Sequence, residues 1–265
     1  MSGPLRIERR GAVDWVTLEC PDRLNALDAA LIDALLRYFE RLYDDDVCRV
    51  VVLRGAGRAF CAGADLGSEL TRRVTDDGIA ASMRVQRNIR NIMLAMRRCP
   101  QPIIALLHGA AVGGGFALAL ASDIRIAAPD TRMNAAFIKI GIGGCDVGVS
   151  YFLPRLAGAS LAHELMLTGR DLPADRAFRL GLVADVVEHD RLEESAALYV
   201  DAMLATAPMG LALTKEVINV NLDAPGLEAA MALEDRNQVM LSQSADFREG
   251  AAAFREKRPP IFTGR

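Results

Sequence analysis

Two short glycine-bearing segments constrain the fold of this chain more than any other feature. They are residues 60–66 (FCAGADL) and residues 112–116 (VGGGF), and each follows a β-branched run that is typical of a strand. Small residues at a strand end let the backbone approach a ligand closely, and a helix that begins there presents free N–H groups. We therefore predict that the segments are two halves of one anion site, because two N–H groups that converge on one oxygen stabilise negative charge on it.

Composition excludes several classes of protein. The 265 residues, 51% of them hydrophobic, suffice for one large domain or a domain with an appendage. Lys and Arg number 31 against 34 Asp and Glu, so the whole-chain charge predicts neither nucleic acid nor a membrane as partner. Five scattered cysteines, without metal-ligand spacing, indicate reduced thiols in the cytoplasm and no metal site. The first residues lack the apolar core of a signal peptide, so we expect no export.

The hydrophobic pattern predicts α/β organisation followed by helices alone. Strands are predicted at residues 5–10, 12–18, 49–53, 103–107 and 124–128, and helices at 28–43 and 80–97. After residue 187, helices are predicted at 191–207, 208–222, 227–242 and 245–258. We therefore divide the chain into a core, residues 1–190, and a C-terminal helical region, residues 191–265, which we expect to pack on a neighbour.

Motifs spread over nearly the whole chain resemble the crotonase, or enoyl-CoA hydratase/isomerase, superfamily. They read PDRLNAL at 21–27, AFCAGADL at 59–66, HGAAVGGG at 108–115, SDIRIA at 122–127, LPRLAG at 153–158, LTGR at 167–170, GLV at 181–183 and FREKR at 254–258. The resemblance implies a crotonase (ClpP-like) fold, an α/β spiral of ββα units with a C-terminal helical trimerisation layer. It also implies a homotrimer or a dimer of trimers.

The same resemblance implies the residues of the site. The backbone N–H groups of Ala64 and Gly114 would form the oxyanion hole for an acyl-CoA thioester. Coenzyme A would be part of the substrate, with no tightly bound cofactor. The residues implied to contact CoA are Arg23, Ala26, Ala62 and Leu66 in the first two motifs, and Phe254 and Lys257 in the closing helix, often across a subunit boundary.

Both positions at which hydratases of the family carry a catalytic glutamate are replaced in this sequence. The first, two residues after the triple glycine, is Ala117, and the second, four residues before Gly141, is Phe137. Neither side chain transfers a proton, so the two-carboxylate hydration mechanism is not predicted. One carboxylate remains at a family position, Asp146, eight residues before Pro154. We expect Asp146 to be the acid/base of a hydration or isomerisation of an enoyl-CoA, and we favour isomerisation because it needs only one such group.

Other readings stay open on the sequence alone. The chain is also compatible with a catalytically silent acyl-CoA-binding homologue that has lost both glutamates. Asp146 could then be an ordinary loop carboxylate. A nucleophilic Asp146 would instead make the protein a dehalogenase or thioester hydrolase. Dehalogenases of the family use a histidine in the helix predicted at 80–97, which has none. The acyl group is not predicted, because relatives differ most in the segment 67–90, where Glu69 is a candidate second base.

Overall fold

A six-stranded, mostly parallel sheet organises the computed structural model, which describes residues 3–69 and 78–264. The strands are β1 (Leu5–Arg10), β2 (Val13–Leu18), β3 (Val50–Gly55), β4 (Ile103–Leu107), β5 (Ala110–Val112), β6 (Ile124–Ala127), β7 (Arg132–Asn134), β8 (Leu172–Pro173) and β9 (Asp185–Val186). The large sheet has the order β1-β2-β3-β4-β6-β9, and β5, β7 and β8 form a smaller sheet. β1 and β2 pair antiparallel as a hairpin, and the remaining pairs of the large sheet are parallel.

Helices alternate with these strands and then follow one another to the end of the chain. Those described are α1 (Ala29–Arg41), α2 (Gly78–Arg98), α3 (Gly114–Ala121), α4 (Val149–Ala157), α5 (Ala159–Thr168), α6 (Ala174–Arg179), α7 (Leu192–Leu204), α8 (Pro208–Asn221), α9 (Leu227–Ser242) and α10 (Ala245–Glu256). α1 begins where the Asp28 carboxylate accepts a hydrogen bond from the Leu31 N–H at 2.9 Å. Among the described residues, no single helix is long and apolar enough to cross a membrane; α7 with its preceding turn and α8 meet that test only together, across a 108° bend.

The large sheet is covered on both faces, which explains its continuous apolar strands. In β3, Val51 and Leu53 join the core cluster that also holds the buried faces of α1 and α2. The alternate residues Val50 and Val52 join a second cluster, which includes three residues of α7: Leu192, Ala196 and Val200. α7, the first helix of the C-terminal region, therefore packs on the core sheet, and the division at residue 190 stays a prediction.

A buried lysine connects α8 to this core. The Lys215 ammonium donates hydrogen bonds to the carbonyl oxygens of Met96 at 3.0 Å and Gln101 at 2.8 Å, and pairs with the Asp123 carboxylate at 2.9 Å. Asp123 also accepts the N–H of Ile103, the first residue of β4, at 2.8 Å. Because breaking a buried ion pair leaves an uncompensated charge, this contact holds the C-terminal helices against the sheet.

The two glycine-bearing segments touch through their main chains. A Cβ atom added at Gly115 would lie 2.2 Å from the carbonyl oxygen of Cys61, and one added at Gly63 would lie 2.7 Å from the carbonyl oxygen of Val112. Gly63 also has a φ of +88°, in the region that favours glycine. The Val112 N–H donates to the Cys61 carbonyl at 3.0 Å, so the contact is hydrogen-bonded. No side chain fits between the segments at these points.

We expect Gly115→Ala to destabilise the protein, because the new methyl group must displace a backbone carbonyl. Overpacking of this kind costs about 1–3 kcal/mol, and more where backbone has to move. The matched control is Gly250→Ala in α10, whose added Cβ meets only the Phe262 ring at 3.5 Å. Alanine is favoured over glycine in a helix interior, so the control should unfold at an equal or higher urea concentration. Equal urea midpoints for the two variants would contradict the packing argument.

Candidate active site

Two unpaired backbone N–H groups, those of Ala64 and Gly114, lie where the glycine-bearing segments meet. The Leu27 N–H donates to the Gly63 carbonyl at 2.7 Å, and the Asp65 N–H donates to the Leu27 carbonyl at 3.1 Å. These two bonds flank Ala64 and turn its own N–H away from Leu27. Gly114 is the first residue of α3, so its N–H has no acceptor within the helix. Within residues 3–69 and 78–264, neither N–H donates a hydrogen bond.

Both donors belong to residues at the contact between Gly63 and Gly114. The Gly114 nitrogen lies 3.3 Å from the position that a Cβ of Gly63 would occupy, and Ala64 directly follows Gly63. The Gly114 donor also stands at the positive end of the α3 dipole. Ala64 is an exposed residue. Two free N–H groups, one of them at a helix N-terminus, are suited to hold an oxygen on which negative charge develops.

Asn25 is a fully buried side chain that fixes the turn leading to this site. Its Oδ1 accepts the Cys20 N–H at 2.9 Å, and its Nδ2 donates to the carbonyls of Ala56 at 2.9 Å and Ala59 at 2.8 Å. Its φ of +54° lies in the left-handed region that asparagine tolerates. The sequence analysis did not single out Asn25; the only local signal was its place in the motif PDRLNAL at 21–27.

Four predicted CoA-contacting residues lie on two adjoining segments: Arg23, Ala26, Ala62 and Leu66. The Arg23 guanidinium pairs with the carboxylates of Asp28 at 2.8 Å and Asp65 at 2.6 Å. The ion pair with Asp65 joins the motif at 21–27 to the motif at 59–66. Ala26 is buried, Ala62 is half-buried and Leu66 is exposed. The structure therefore brings these four residues to the same region as the Ala64 N–H.

The remaining two predicted CoA contacts, Phe254 and Lys257, lie at the end of α10. The Phe254 side chain is 86% exposed. Lys257 is also exposed and caps the helix with a φ of +54°. Within the described part of the chain, no hydrogen bond or ion pair joins α10 to the two glycine-bearing segments. Their contact with CoA stays a prediction that depends on a second copy of the chain.

Asp146 occupies a half-buried position in the loop before α4. Its Oδ1 accepts two hydrogen bonds, one from the Val147 N–H at 2.8 Å and one from the Gln86 side-chain amide of α2. Burial raises the pKa of the Asp146 carboxyl above its usual range, and the hydrogen bonds from Val147 and Gln86 offset part of that rise. Sequence reasoning missed Gln86, because no local pattern connects a helical glutamine with a carboxylate 60 residues later.

Apolar side chains fill the two positions that carry glutamates in hydratases of the family. Ala117 is fully buried in α3, and Phe137 is buried in the turn Ala136–Ile140. Both belong to the main core cluster. The Phe137 ring lies 3.5 Å from the position of a Cβ at Gly113, so it borders the glycine-bearing segment directly. The structure thus places packing groups, and no carboxylate, at these two positions.

The structure describes only part of the segment 67–90, in which relatives differ most. Residues 70–77, with Arg72 and Arg73, lie outside the described residues. Glu69, the candidate second base, is exposed at the edge of that gap. In the parts that are described, no group of three or more His, Cys, Asp or Glu side chains is arranged to hold a metal ion.

The chain is similar to known proteins over nearly its full length. Residues 8–265 match the family model described as enoyl-CoA hydratase/isomerase. A Mycobacterium leprae protein named "probable enoyl-CoA hydratase" is 38% identical over 95% of this chain and 87% of its own length. The 1,2-epoxyphenylacetyl-CoA isomerase of Escherichia coli K12 is 36% identical over 94% of both chains. The crystal structure of an enoyl-CoA hydratase from Bacillus anthracis superposes with a TM-score of 0.92 at 32% identity, over 99% of this chain and 100% of that one.

We expect Asp146→Asn to raise the melting temperature at pH 8. A carboxyl whose pKa is raised by folding binds more protons in the folded state, so the free energy of unfolding falls as pH rises through the interval between the two pKa values. Asparagine keeps the acceptor for Val147 and Gln86 without the desolvated charge. The gain should therefore shrink as the pH is lowered and Asp146 becomes protonated.

Thermal melts at pH 5 and pH 8 measure this difference. Asp201→Asn, at an exposed position in α7, is the matched control and should show no comparable gain. A melting temperature at pH 8 that is equal to or below that of the unaltered protein would contradict the assigned cause of the Asp146 shift.

Proposed function

We propose that this chain, which belongs to the enoyl-CoA hydratase/isomerase family and has the crotonase fold, moves a double bond of an enoyl-CoA with a single proton carrier. The observation that carries the proposal is a single half-buried carboxylate, Asp146, and burial raises the pKa of its carboxyl group. The two positions that carry glutamates in hydratases of the family are occupied by Ala117 and Phe137. A carboxyl whose pKa is shifted towards neutrality is suited to both taking and returning a proton.

The reaction would begin with the thioester oxygen between the N–H groups of Ala64 and Gly114. The Asp146 carboxylate removes a proton from the α-carbon of a 3-enoyl-CoA, and the electron pair of that C–H bond becomes an enolate on the thioester oxygen. The two N–H groups stabilise the enolate as its charge develops. Asp146 then returns the proton to the γ-carbon, and the double bond moves from the β,γ to the α,β position.

Hydration is the less suitable reaction for these residues. It requires one group to activate a water molecule and a second to protonate the α-carbon. The buried methyl group of Ala117 and the ring of Phe137 supply neither. The names of the relatives include both a hydratase and an isomerase, so they do not decide between the reactions. The residues at these positions favour isomerisation.

The C-terminal helices support the proposal that the protein acts as a trimer or a dimer of trimers. In α9, none of the described residues is buried in one chain. Large apolar side chains of α8–α10 are exposed: Ile218, Leu227, Val239 and Phe254. Surfaces of this kind are typical of interfaces. In such an assembly, Phe254 and Lys257 would contact the CoA bound by a neighbouring copy.

We expect Asp146→Asn to lower kcat for 3-hexenoyl-CoA isomerisation by about 10²–10⁴-fold, the usual contribution of a general acid/base. Product analysis by mass spectrometry and NMR distinguishes the 2-enoyl ester from a hydrated product. Crotonyl-CoA, assayed beside it, tests hydration. Hydration that survives the substitution would overturn the role of Asp146, and tight binding of every ester without turnover would identify a silent acyl-CoA-binding protein.

We expect Gly114→Pro to lower kcat by about 10²–10³-fold, the usual loss for one oxyanion donor. Proline removes the N–H, and the first helical position of α3 is one where proline is tolerated. The matched variant Gly114→Ala keeps the N–H and places its Cβ 2.6 Å from the Leu27 Cδ1, a side-chain end that can shift. It should lose less activity. Equal losses would show that the volume at residue 114, and not its N–H, matters.

A further inference from the structure

We propose that Gln86 is a positioning residue that fixes the Asp146 carboxylate, so that Oδ2 is the oxygen that takes and returns the proton. The proposal rests on the proposed function for the role of Asp146 and adds the group that orients it. Gln86 lies on α2, on an exposed stretch that faces the loop before α4. It would act through Asp146 and not on the substrate.

The two carboxylate oxygens of Asp146 differ in the hydrogen bonds that they accept. Oδ1 accepts both the Gln86 side-chain amide and the Val147 N–H. Within the described residues, Oδ2 accepts no hydrogen bond and joins no ion pair. The oxygen with two donors is the poorer base, because each donor stabilises its negative charge. The oxygen without a donor is the one free to bond a proton.

The backbone of this loop is held independently of Gln86. The Val149 N–H donates to the Asp146 carbonyl at 2.8 Å. A Cβ added at Gly144 would lie 2.2 Å from the carbonyl oxygen of Met166, so the loop is pressed against α5. Val147 has a φ of +38°, which is unusual for a β-branched residue and keeps its N–H on Oδ1. Removal of the Gln86 amide should therefore free the carboxylate to rotate without moving the main chain.

Gln86 is the side chain that most directly affects the charge of Asp146, because no charged side chain pairs with this carboxylate among the described residues. The charged residues nearest to Gln86 on α2 are Arg84, Arg87 and Arg90. None of them forms an ion pair with Asp146 among the described residues, and in the loop the titratable neighbour is Cys145. The causes that shift the Asp146 pKa are burial, Val147 and Gln86, with no charged side chain among them. Loss of the amide donor should therefore destabilise the carboxylate and raise that pKa further.

The test is Gln86→Leu, which removes the amide donor and leaves an apolar side chain that is one atom shorter. We expect kcat for 3-hexenoyl-CoA to fall about tenfold, as for loss of one hydrogen bond to a charged group, with KM little changed. The acidic limb of the kcat–pH profile should move to higher pH. Asn91→Leu is the matched control, because Asn91 lies on the same helix beyond the segment 67–90 and faces Phe39 of α1. It should leave kcat and the pH profile unchanged.

Two further measurements separate positioning from a general structural effect. In the Asp146→Asn background, Gln86→Leu should cause no additional loss of kcat, since both changes act through one carboxylate. A carbon-13 NMR titration of the Asp146 carboxyl, without substrate, should show a higher midpoint in Gln86→Leu than in the unaltered protein. An additive loss in the double variant, or an unshifted titration, would overturn the role of Gln86. A shifted titration in a protein that turns over no enoyl-CoA would instead overturn the proposed function and leave the coupling of Gln86 to Asp146 standing.

Discussion

The close approach of Gly115 to the Cys61 carbonyl is the contact on which the site depends. It lets two segments about fifty residues apart in sequence meet backbone to backbone, where any Cβ would lie 2.2 Å from an oxygen. The unpaired N–H groups of Ala64 and Gly114 belong to residues that lie beside this contact. The proposed oxyanion site needs no particular side chain at this point; it needs glycine, which has none.

The scaffold around that contact is held by polar side chains that bond to main-chain groups. Asn25 fixes the turn before the first segment, and Lys215 joins α8 to the carbonyls of Met96 and Gln101. Buried polar groups must be hydrogen-bonded, so each of these side chains fits only one arrangement of the backbone around it. The apolar core gives the sheet and helices their stability, whereas these groups set the positions of the loops.

Asp146 shows the opposite relation between stability and function. Burial makes its charged form unfavourable, so the folded protein is less stable at high pH than it would be with a neutral side chain there. Strain at Val147 lies in the same loop. In the proposed reaction Asp146 exchanges a proton, and costs of this kind concentrate at such groups because a fully solvated carboxylate would have the wrong pKa for that task.

Local pattern in the sequence was enough to determine the α/β order, the limits of β4 and α9 and the two glycine-bearing segments. Those features depend on periodicity and on residue type, which can be recognised without a partner. The loss of both glutamate positions follows instead from the resemblance to the family, which supplies the positions to compare. The α1 helix gives way to a tighter turn at Leu42–Asp44, a boundary that periodicity did not resolve. Only the tertiary structure decided which N–H groups stay unpaired, and that Gln86 bonds Asp146 while Asn25 bonds Ala56 and Ala59. Such contacts join residues tens of positions apart, and their free energy exists only once the fold has brought both partners together.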